Sequence, residues 1–442
     1  MAQSTVDLPT RLLRNLQPWR DAKSWRVAFS GGLDSTVLLH LLAKLANKHS
    51  LPSLSAIHVH HGLQAAAEAW PAHCQAVCDG LAVPLAIVHV QVEAGASLEQ
   101  AARAARYGAF IEATQPGDLL LTAQHRDDQA ETLLFRLLRG AGGRGLAAMP
   151  IQRPLGRGHL LRPLLDISRA ELEAYARDHR LQWIEDPSNA DPQFSRNYLR
   201  QWVFPVLTRR WPQAAATIAR SAAHLREAQG LLDELAGLDL ANAQTPHDYD
   251  WLKLPSLDLT AIQSLSPARQ RNALSHWLAT KTRLPDSDHW SGWVSLRDAA
   301  PDAQPIWRLA DGELHRANGR IWWLAGYWLR AVVPVGAWAD PSQPLLLPDN
   351  GTLNFVGAAP TGSLEVCYRE GGEVMALAGR GHRDLKRLFN ERQVPSFARG
   401  RLPLLYRDAQ LIAVANLPGL DGGTGANYVL HWQPVIQDQG LS

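Results

Sequence analysis

The chain has 442 residues, of which 46% are hydrophobic and 19% are charged. This length is enough for about three domains, and the composition excludes an intrinsically disordered chain. The formal net charge is only +2 at pH 7, so no global charge field indicates a nucleic-acid or membrane partner.

The cysteines and the apolar runs limit the class of protein. Cys74, Cys78 and Cys367 are too few for a disulfide framework. Cys74 and Cys78 are four residues apart in a helical pattern and could be metal ligands, but two ligands do not complete a zinc site. Neither a signal-peptide stretch nor a run near the roughly 18 apolar residues of a transmembrane helix is found. We therefore expect a cytoplasmic enzyme with no membrane partner.

Short apolar strands alternate with helices through the first half of the chain. The expected order is strand 25–30, helix 35–46, strand 54–61, helix 65–81, strand 84–92, helix 97–114, strand 118–125 and helix 126–139. This alternation is typical of βαβ units and predicts an α/β fold with a doubly wound parallel sheet. Ligands of such sheets bind at the carboxyl ends of the strands.

A change of pattern near Pro150 suggests where the first domain ends. A helix over 168–179 and an irregular polar stretch complete a predicted domain of residues 1–211. A linker helix is predicted over 212–245. The residues expected on its apolar face are Ile218, Ala222, Leu225, Leu232 and Leu235.

The remaining chain predicts two further domains. Residues 246–340 are rich in tryptophan and are expected to form a mainly helical middle domain. Their indole rings are either core residues or stacking surfaces for nucleotide bases. Residues 341–442 predict a small α+β domain, because two hairpins, at 345–356 and 402–415, flank a basic helix.

One glycine-rich motif follows the first strand directly. It reads SGGLDS and consists of Ser30, Gly31, Gly32, Leu33, Asp34 and Ser35. Paired glycines allow a sharp turn and close approach of a ligand, and the N–H groups at the start of the next helix favour an anion. Asp34 beside a phosphate would suit a shared Mg²⁺ ion; the alternative is a plain turn with Asp34 as helix cap. The position after the first strand favours a nucleotide phosphate site.

Two other phosphate-binding motifs are excluded. The sequence contains no G-x-x-x-x-G-K-S/T motif. Residues 140–145 match G-x-G-x-x-G, but they follow an apolar helix and not a strand, so they fail the context required of a dinucleotide site. This segment predicts a helix end and a loop.

The motif SGGLDS is similar to the PP-loop of the N-type ATP pyrophosphatases, which split ATP between its α and β phosphates. Further segments resemble the tRNA(Ile)-lysidine synthase family: HVHHGLQ (58–64), AARAARY (101–107), HRDDQAETLLFRLLRGAGGRGL (125–146), RPLL (162–165) and EDPSNADPQFSRNYLR (185–200). The similarity covers residues from about 25 to 205 and resumes at 384–406. Gln64 and Phe397 depart from the family, which commonly has Arg and Trp there.

The resemblance implies a two-step reaction that uses ATP and Mg²⁺, with Asp34 as a metal ligand. ATP adenylates O2 of the first anticodon cytidine in the isoleucine tRNA with a CAU anticodon, and pyrophosphate leaves. The ε-amine of free L-lysine then displaces AMP to give lysidine. The nearest alternatives are a PP-loop tRNA thiolase, which would need paired cysteines or an iron–sulfur cluster, and a non-catalytic ATP-binding regulator.

Six residues are candidates for catalysis. His125, Asp128 and Glu131 have three-residue spacing, so they project from nearly one helix face, where carboxylates can bind an ammonium or accept a proton. The alternative is a solvated face with charge pairs. By resemblance, Asp128 and Glu131 bind and activate lysine, His125 positions the base, and one of Arg103 and Arg106 contacts the adenylated base or phosphate. The sixth residue is Asp34.

Two segments are candidates for tRNA contact. By resemblance, Arg196, Asn197 and Arg200 lie near the substrate base or the tRNA. Residues 379–401 contain seven cationic and two acidic residues, as expected of a surface that contacts a phosphate backbone. Within it the tRNA-binding candidates are Arg383, Lys386, Arg387 and Arg399. The family implies that the C-terminal domain binds the tRNA acceptor stem, and we expect the middle domain to interact with tRNA too. A solvated basic helix is the alternative.

Overall fold

The computed structural model describes residues 7–62, 65–92, 98–286, 288–300, 303–377, 379–422 and 427–435. The chain divides into two compact units, residues 1–230 and residues 231–442. None of the described helices is both long enough and apolar enough to cross a lipid bilayer.

The first unit is an α/β structure, as predicted. Its helices are α1 (Leu8–Leu16), α2 (Leu33–Ala46), α3 (Trp70–Gly80), α4 (Leu98–Ala113), α5 (Arg126–Leu138), α6 (Gly143–Leu146), α7 (Arg169–Asp178), α8 (Ser195–Tyr198), α9 (Phe204–Arg210) and α10 (Ala214–Ala243), which continues into the second unit. Its strands are β1 (Ser24–Ala28), β2 (Ser53–His60), β3 (Leu85–His89), β4 (Asp118–Leu121), β5 (Gln152–Leu155) and β6 (Gly158–Leu161).

The strand order places the motifs side by side. The sheet runs β3-β2-β1-β4-β6-β5, and every neighbouring pair is parallel except β5 with β6. β1 and β4 lie next to each other, although two strands separate them in sequence. The loops after their carboxyl ends therefore meet at the point where the strand order reverses, which is where open α/β sheets bind ligands.

The observed strands β1 and β4 are shorter than predicted. β1 ends at Ala28 and β4 at Leu121, whereas the apolar pattern extended to residues 30 and 125. Phe29 and Thr122 still donate backbone hydrogen bonds to the neighbouring strands, but the chain then leaves the sheet. The residues past each strand end are those that form the site.

The core of the first unit lies on both faces of this sheet. Trp25, Val27 and Phe29 are buried beside the leucines of α2, and α2 packs against α7. The second face buries Ile57, Leu120 and neighbouring residues. Because both faces are covered, the central strand β4 is buried along its whole length, as expected of a parallel sheet.

The second unit combines helices with antiparallel sheets. Its further helices are α11 (Leu259–Gln263), α12 (Pro267–Leu278), α13 (Ser291–Asp298), α14 (Leu385–Glu391) and α15 (Ser396–Arg399). Its strands are β7 (Ser256–Asp258), β8 (Ile306–Arg308), β9 (Glu313–Ala317), β10 (Arg320–Leu324), β11 (Gly336–Ala337), β12 (Leu345–Leu347), β13 (Gly351–Gly357), β14 (Leu364–Cys367), β15 (Val374–Leu377), β16 (Gly381–Asp384), β17 (Leu404–Arg407), β18 (Gln410–Val414) and β19 (Tyr428–Gln433).

The described strands of this unit form four small sheets, with orders β7-β10-β9-β8, β11-β14-β17-β18, β12-β13-β19 and β15-β16. The two predicted hairpins are confirmed as β12–β13 and β17–β18. The first sheet packs with the helices of the middle region and was not singled out in the sequence, because its strands are only three to five residues long.

Most of the tryptophans of the middle region are core residues. Those that are buried are Trp277, Trp293, Trp307, Trp322, Trp323, Trp328 and Trp338. Trp322 and Trp328 share one core with Leu385 and Phe389 of the C-terminal region. The predicted division at residue 340 stays a prediction, and the two segments are packed together.

The predicted linker helix forms, as α10, but its apolar face was partly wrong. Ala222 is buried against Leu133 and Ala148, whereas Leu232 is 43% exposed. The helix buries Leu240 in a different core. Its buried face therefore changes along its length, and one periodic stripe does not describe it.

Candidate active site

The SGGLDS loop is a tight turn between β1 and α2. Gly31 has a φ of +83°, and a Cβ there would approach Ile184 Cδ1 to 2.8 Å. Only glycine fits this conformation and this space. The Gly32 N–H donates to Ser30 Oγ at 3.3 Å, and the Ser35 hydroxyl donates to the Gly32 carbonyl at 3.0 Å. The turn therefore holds its own shape at the N-terminus of α2, where a phosphate is favoured.

Asp34 lies in the first turn of α2. Burial raises the pKa of its carboxyl, and the facing His125 opposes that shift. Its Oδ1 is buried without a hydrogen-bond partner among the described residues. An unused carboxylate oxygen beside a phosphate-binding turn fits Mg²⁺, which is commonly held by one or two carboxylates together with substrate phosphates. In the described part of the chain, no three His, Cys, Asp or Glu side chains are arranged as a metal cage.

His125 connects the loop to α5. It is fully buried at the N-cap of α5, and its backbone N–H donates to Asp128 Oδ2 at 2.9 Å. Its Nε2 is 3.4 Å from Asp128 Oδ2 and 3.7 Å from Asp34 Oδ2, and its Nδ1 is 3.7 Å from Asp127 Oδ2. Burial alone would lower the pKa of His125, but these three carboxylates outweigh it and raise the pKa.

Arg200 bonds to both candidate lysine-binding acids. Its Nε donates to Glu131 Oε1 at 2.7 Å, and its Nη2 donates to Glu131 Oε2 at 2.9 Å and to Asp128 Oδ1 at 3.1 Å. Glu131 is only 4% exposed, and burial raises the pKa of its carboxyl although Arg200 partly offsets that effect.

A π-helical turn accounts for the direction of Arg200. The turn spans Leu199–Val203 between α8 and α9, buries Leu199 and directs Arg200 towards α5. π-helical turns are rare and occur frequently at functional sites. The sequence shows the motif around Arg200 but not this pairing, because 69 residues separate Arg200 from Glu131.

Arg103 and Arg106 lie on α4 and do not contact these acids in the described chain. The guanidiniums of Arg103 and Arg153 lie over the ring of Tyr107, 4.8 Å and 4.9 Å from its centroid. Arg106 Nη2 is 3.3 Å from His61 Nε2, and burial together with Arg103 lowers the pKa of Arg106. Asp186 partly offsets this lowering of the pKa of Arg106. Clustered guanidiniums of this kind are suited to an anion. Tyr107 and Arg153 were not predicted, although Tyr107 closes the segment AARAARY.

The other candidates in the first unit have different surroundings. Arg196 is exposed. Asn197 donates from its side-chain amide to the carbonyl oxygens of Ser188 and Asp191, at 2.8 Å and 2.9 Å, so this group holds the preceding loop in place. Its predicted tRNA contact stays a prediction.

Cys74 and Cys78 are core residues. Both side chains are buried in the cluster that includes β1 and α2. Burial raises the pKa of Cys74 to about 12 and that of Cys78 to about 11. A thiol with such a pKa is protonated near neutral pH and is a poor metal ligand.

The basic segment of the second unit uses most of its charges internally. Arg387 Nε and Arg380 Nη2 both contact Glu391, at 3.0 Å and 3.3 Å, and Arg399 donates to a backbone carbonyl at 2.8 Å. Within the described chain, Arg383 and Lys386 have no hydrogen-bond or ion-pair partner. These two residues are therefore the most available cations among the four predicted there.

Three segments of the chain match known families. Residues 5–207 match the PP-loop domain, residues 257–322 match the TilS substrate binding domain, and residues 364–432 match the TilS substrate C-terminal domain. The first match supports ATP as the nucleotide. Among solved structures, the chain is similar to the U34-tRNA thiolase NcsA from Methanococcus maripaludis, with a TM-score of 0.41 and 19% identity over 50% of this chain and 78% of that chain.

Curated relatives match along the whole length. The chain is 70% identical to a tRNA(Ile)-lysidine synthase from Pseudomonas fluorescens over 100% of both chains. It is 64% identical to the one from Pseudomonas syringae over 99% of this chain and 98% of that protein, and 63% identical to the one from Pseudomonas aeruginosa over 99% of both. The predictions from the motifs are thus confirmed at the level of the family, and the chain belongs to the tRNA(Ile)-lysidine synthase family.

Proposed function

We propose that this protein joins free L-lysine to C2 of the first anticodon cytidine of tRNA(Ile) with a CAU anticodon, using ATP and releasing AMP and pyrophosphate. Family membership makes the chain a ligase that forms a carbon–nitrogen bond on tRNA. The observation that supports the detailed reaction is the junction at His125. There the phosphate loop, through Asp34, meets the pair Asp128 and Glu131.

The first step takes place at the loop after β1. The cytidine O2 attacks the α-phosphorus, a new oxygen–phosphorus bond forms, and the bond to pyrophosphate breaks. The Gly31–Gly32 turn and the start of α2 bind the triphosphate. Asp34, through its unused Oδ1, would hold Mg²⁺, which supplies charge neutralisation to the phosphates when bound. His125, whose pKa is raised by the facing carboxylates, lies between Asp34 and Asp128.

The second step takes place at Asp128 and Glu131. The lysine ε-nitrogen attacks C2, the bond from C2 to the adenylate oxygen breaks, and AMP leaves. The two carboxylates bind the ε-ammonium and accept its proton, because only the neutral amine is nucleophilic. All four carboxylate oxygens of Asp128 and Glu131 already accept hydrogen bonds from Arg200 or from the backbone N–H of His125. The lysine ammonium must therefore share these oxygens with Arg200 or displace it.

The cationic groups near α4 are proposed to bind the adenylate or the tRNA. Neither Arg103 nor Arg106 contacts Asp128 or Glu131 in the described residues, and either can face the developing negative charge. A tRNA partner follows from the family, and contacts at Arg383 and Lys386 in the second unit would add a second point of recognition. We place the reaction in the cytoplasm, where tRNA, ATP and lysine occur together.

The decisive experiment incubates the purified protein with ATP, Mg²⁺, radiolabelled lysine and tRNA(Ile) transcripts. We expect lysine incorporation and release of pyrophosphate in equal amounts, and no incorporation when the first anticodon base is changed from C to U. Release of ADP would contradict the proposal. Pyrophosphate release without lysine dependence would favour a thiolase, and ATP binding without pyrophosphate release would favour a regulator.

A further inference from the structure

Residues 195–211 form an unusual exposed surface. The segment reads SRNYLRQWVFPVLTRRW and contains four arginines and no acidic residue. Tyr198 is 52% exposed, Trp202 60% and Trp211 58%. Large exposed aromatic rings among positive charges are uncommon on a protein surface without a binding role.

The helix geometry brings two of these rings together. Tyr198 ends α8, and Trp202 lies four residues later in the π-helical turn. Residues about one turn apart lie on the same face of a helix. Leu199 and Arg200 point inward, where Arg200 reaches Glu131. Tyr198 and Trp202 therefore share the outward side of the same turn that contributes Arg200 to the site.

The part of the chain that follows Glu131 on the neighbouring helix α5 is also free of acidic residues. Helix α5 contacts α8 and the π-helical turn, and residues 132–150 contain three arginines and no Asp or Glu. Burial and the charge of Arg196 lower the pKa of Arg136. Asp186 and Asp191, the nearest acids before the segment, accept hydrogen bonds from backbone N–H groups of their own turns.

We propose that Tyr198 and Trp202 form a stacking platform for unpaired bases of an RNA loop. Proteins recognise single-stranded RNA by stacking its bases on aromatic rings and by placing arginines along its backbone. Both elements occur here within one turn. A symmetric contact with a second copy of the chain is disfavoured, because the same cationic surface would face itself.

The proposal rests on the proposed function for the identity of the loop, which would be the anticodon loop. Arg200 is two residues from each aromatic ring and contacts the acids of the site. A cytidine held at those acids would leave its neighbouring loop bases beside the platform. The platform would thus bind the bases that flank the reacting one.

The test measures binding of an anticodon stem-loop with the CAU sequence and with 2-aminopurine next to the first anticodon base. We expect Trp202→Ala and Tyr198→Ala each to weaken binding by about 5- to 140-fold, because stacking on one ring is worth that much per base. Trp202→Phe keeps a ring and restores most of the affinity. Val206→Ala is the matched control, because Val206 is as exposed as Trp202 in the same segment but has no ring.

A second readout separates stacking from charge. Trp202→Ala leaves the salt dependence of binding unchanged because no phosphate contact is lost, and it abolishes the 2-aminopurine quenching seen with the unchanged protein. Equal affinity of Trp202→Ala and the unchanged protein would overturn the platform. Equal losses in Val206→Ala and Trp202→Ala, or dimerisation that depends on Trp202, would overturn it too.

Failure of the platform and failure of the proposed function give different results. If lysine is not incorporated but stem-loop binding depends on Trp202, the reaction assignment fails and the platform stands. If lysine is incorporated and Trp202→Ala binds the stem-loop normally, the platform fails. Retained ATP binding by the variants shows that the first unit is folded.

Discussion

Arg200 in the first unit and Arg383 in the second were both predicted to contact tRNA, yet their surroundings are opposite. Arg200 is half-buried and makes three hydrogen bonds to Glu131 and Asp128. Arg383 lies on β16 in a segment rich in cations and has no partner in the described chain. The same side chain is part of a closed network in one unit and an available charge in the other.

The difference also exists inside the basic segment 379–401. Arg401 is buried and donates to Asn350 Oδ1 at 3.1 Å and to the backbone oxygens of Arg330 and Asp349. Removing it would leave buried acceptors unpaired, which costs about 1–3 kcal/mol for each such group. A count of charges along the sequence therefore overstates how many cations can contact a phosphate backbone.

Substitution of the network in the first unit should have the largest effects. Asp34→Asn removes the negative charge proposed to hold Mg²⁺ at the triphosphate. We expect tRNA-dependent pyrophosphate release to fall at least ~1,000-fold, since metal-assisted charge stabilisation is worth several kcal/mol. The measurement is pyrophosphate release under saturating ATP. Asp178→Asn, an exposed change at the end of α7, is the control, and a comparable loss there would point to nonspecific damage.

Glu131→Gln separates the lysine step from the adenylation step. The neutral amide cannot accept the lysine proton and leaves Arg200 with Asp128 as its remaining anionic partner. We expect lysine incorporation to fall about 100-fold, the lower range for loss of a general base, while pyrophosphate release changes only a few-fold. The two rates are measured on the same tRNA. Equal losses in both steps would contradict the division of roles between Asp34 and Glu131.

The acid limit of the lysine step should reveal the raised pKa of Glu131. Its carboxylate is the active form, so the rate falls as the pH drops through that pKa, which lies above the usual 4.5. Arg200 lowers the pKa of Glu131, so Arg200→Met should move the acid limb to higher pH. The profile is measured by single-turnover lysine transfer to adenylated tRNA. Arg220→Met on α10 is the control. If the acid limb of the unchanged protein has an apparent pKa at or below 4.5, Glu131 is excluded as the titrating group.

Local patterns explain which parts of this network were predictable. SGGLDS predicts a phosphate loop from its glycines together with its position after the first strand, and the spacing of Asp128 and Glu131 predicts one helix face. The alternation of strands and helices also predicted the parallel sheet, which brings β1 and β4 together. Each of these features depends on residues that are close in sequence.

Features that depend on distant residues were not predictable from such patterns. The bond from Arg200 to Glu131 crosses 69 positions, and Tyr107 meets Arg153 only after β5 joins the sheet. Leu232 follows the spacing of the other apolar residues of α10, yet it is exposed because the helix changes its packing partner. The partners of Arg401 come from Asn350 and other residues of distant loops for the same reason.

Charge reversal in the basic segment 379–401 should have the smallest effect. It tests whether the available cations of the second unit contact tRNA. Arg383→Glu with Lys386→Glu is expected to weaken tRNA binding roughly tenfold and to reduce the slope of log affinity against log salt by roughly two, because each lost phosphate contact removes about 0.9. Arg387→Glu alone should change this slope less than Arg383→Glu alone or Lys386→Glu alone, since Arg387 is already paired with Glu391. Arg271→Glu, an exposed change on α12, is the control. If Arg387→Glu changes the slope as much as Arg383→Glu does, then Arg387 contacts the RNA phosphates in spite of its ion pair with Glu391.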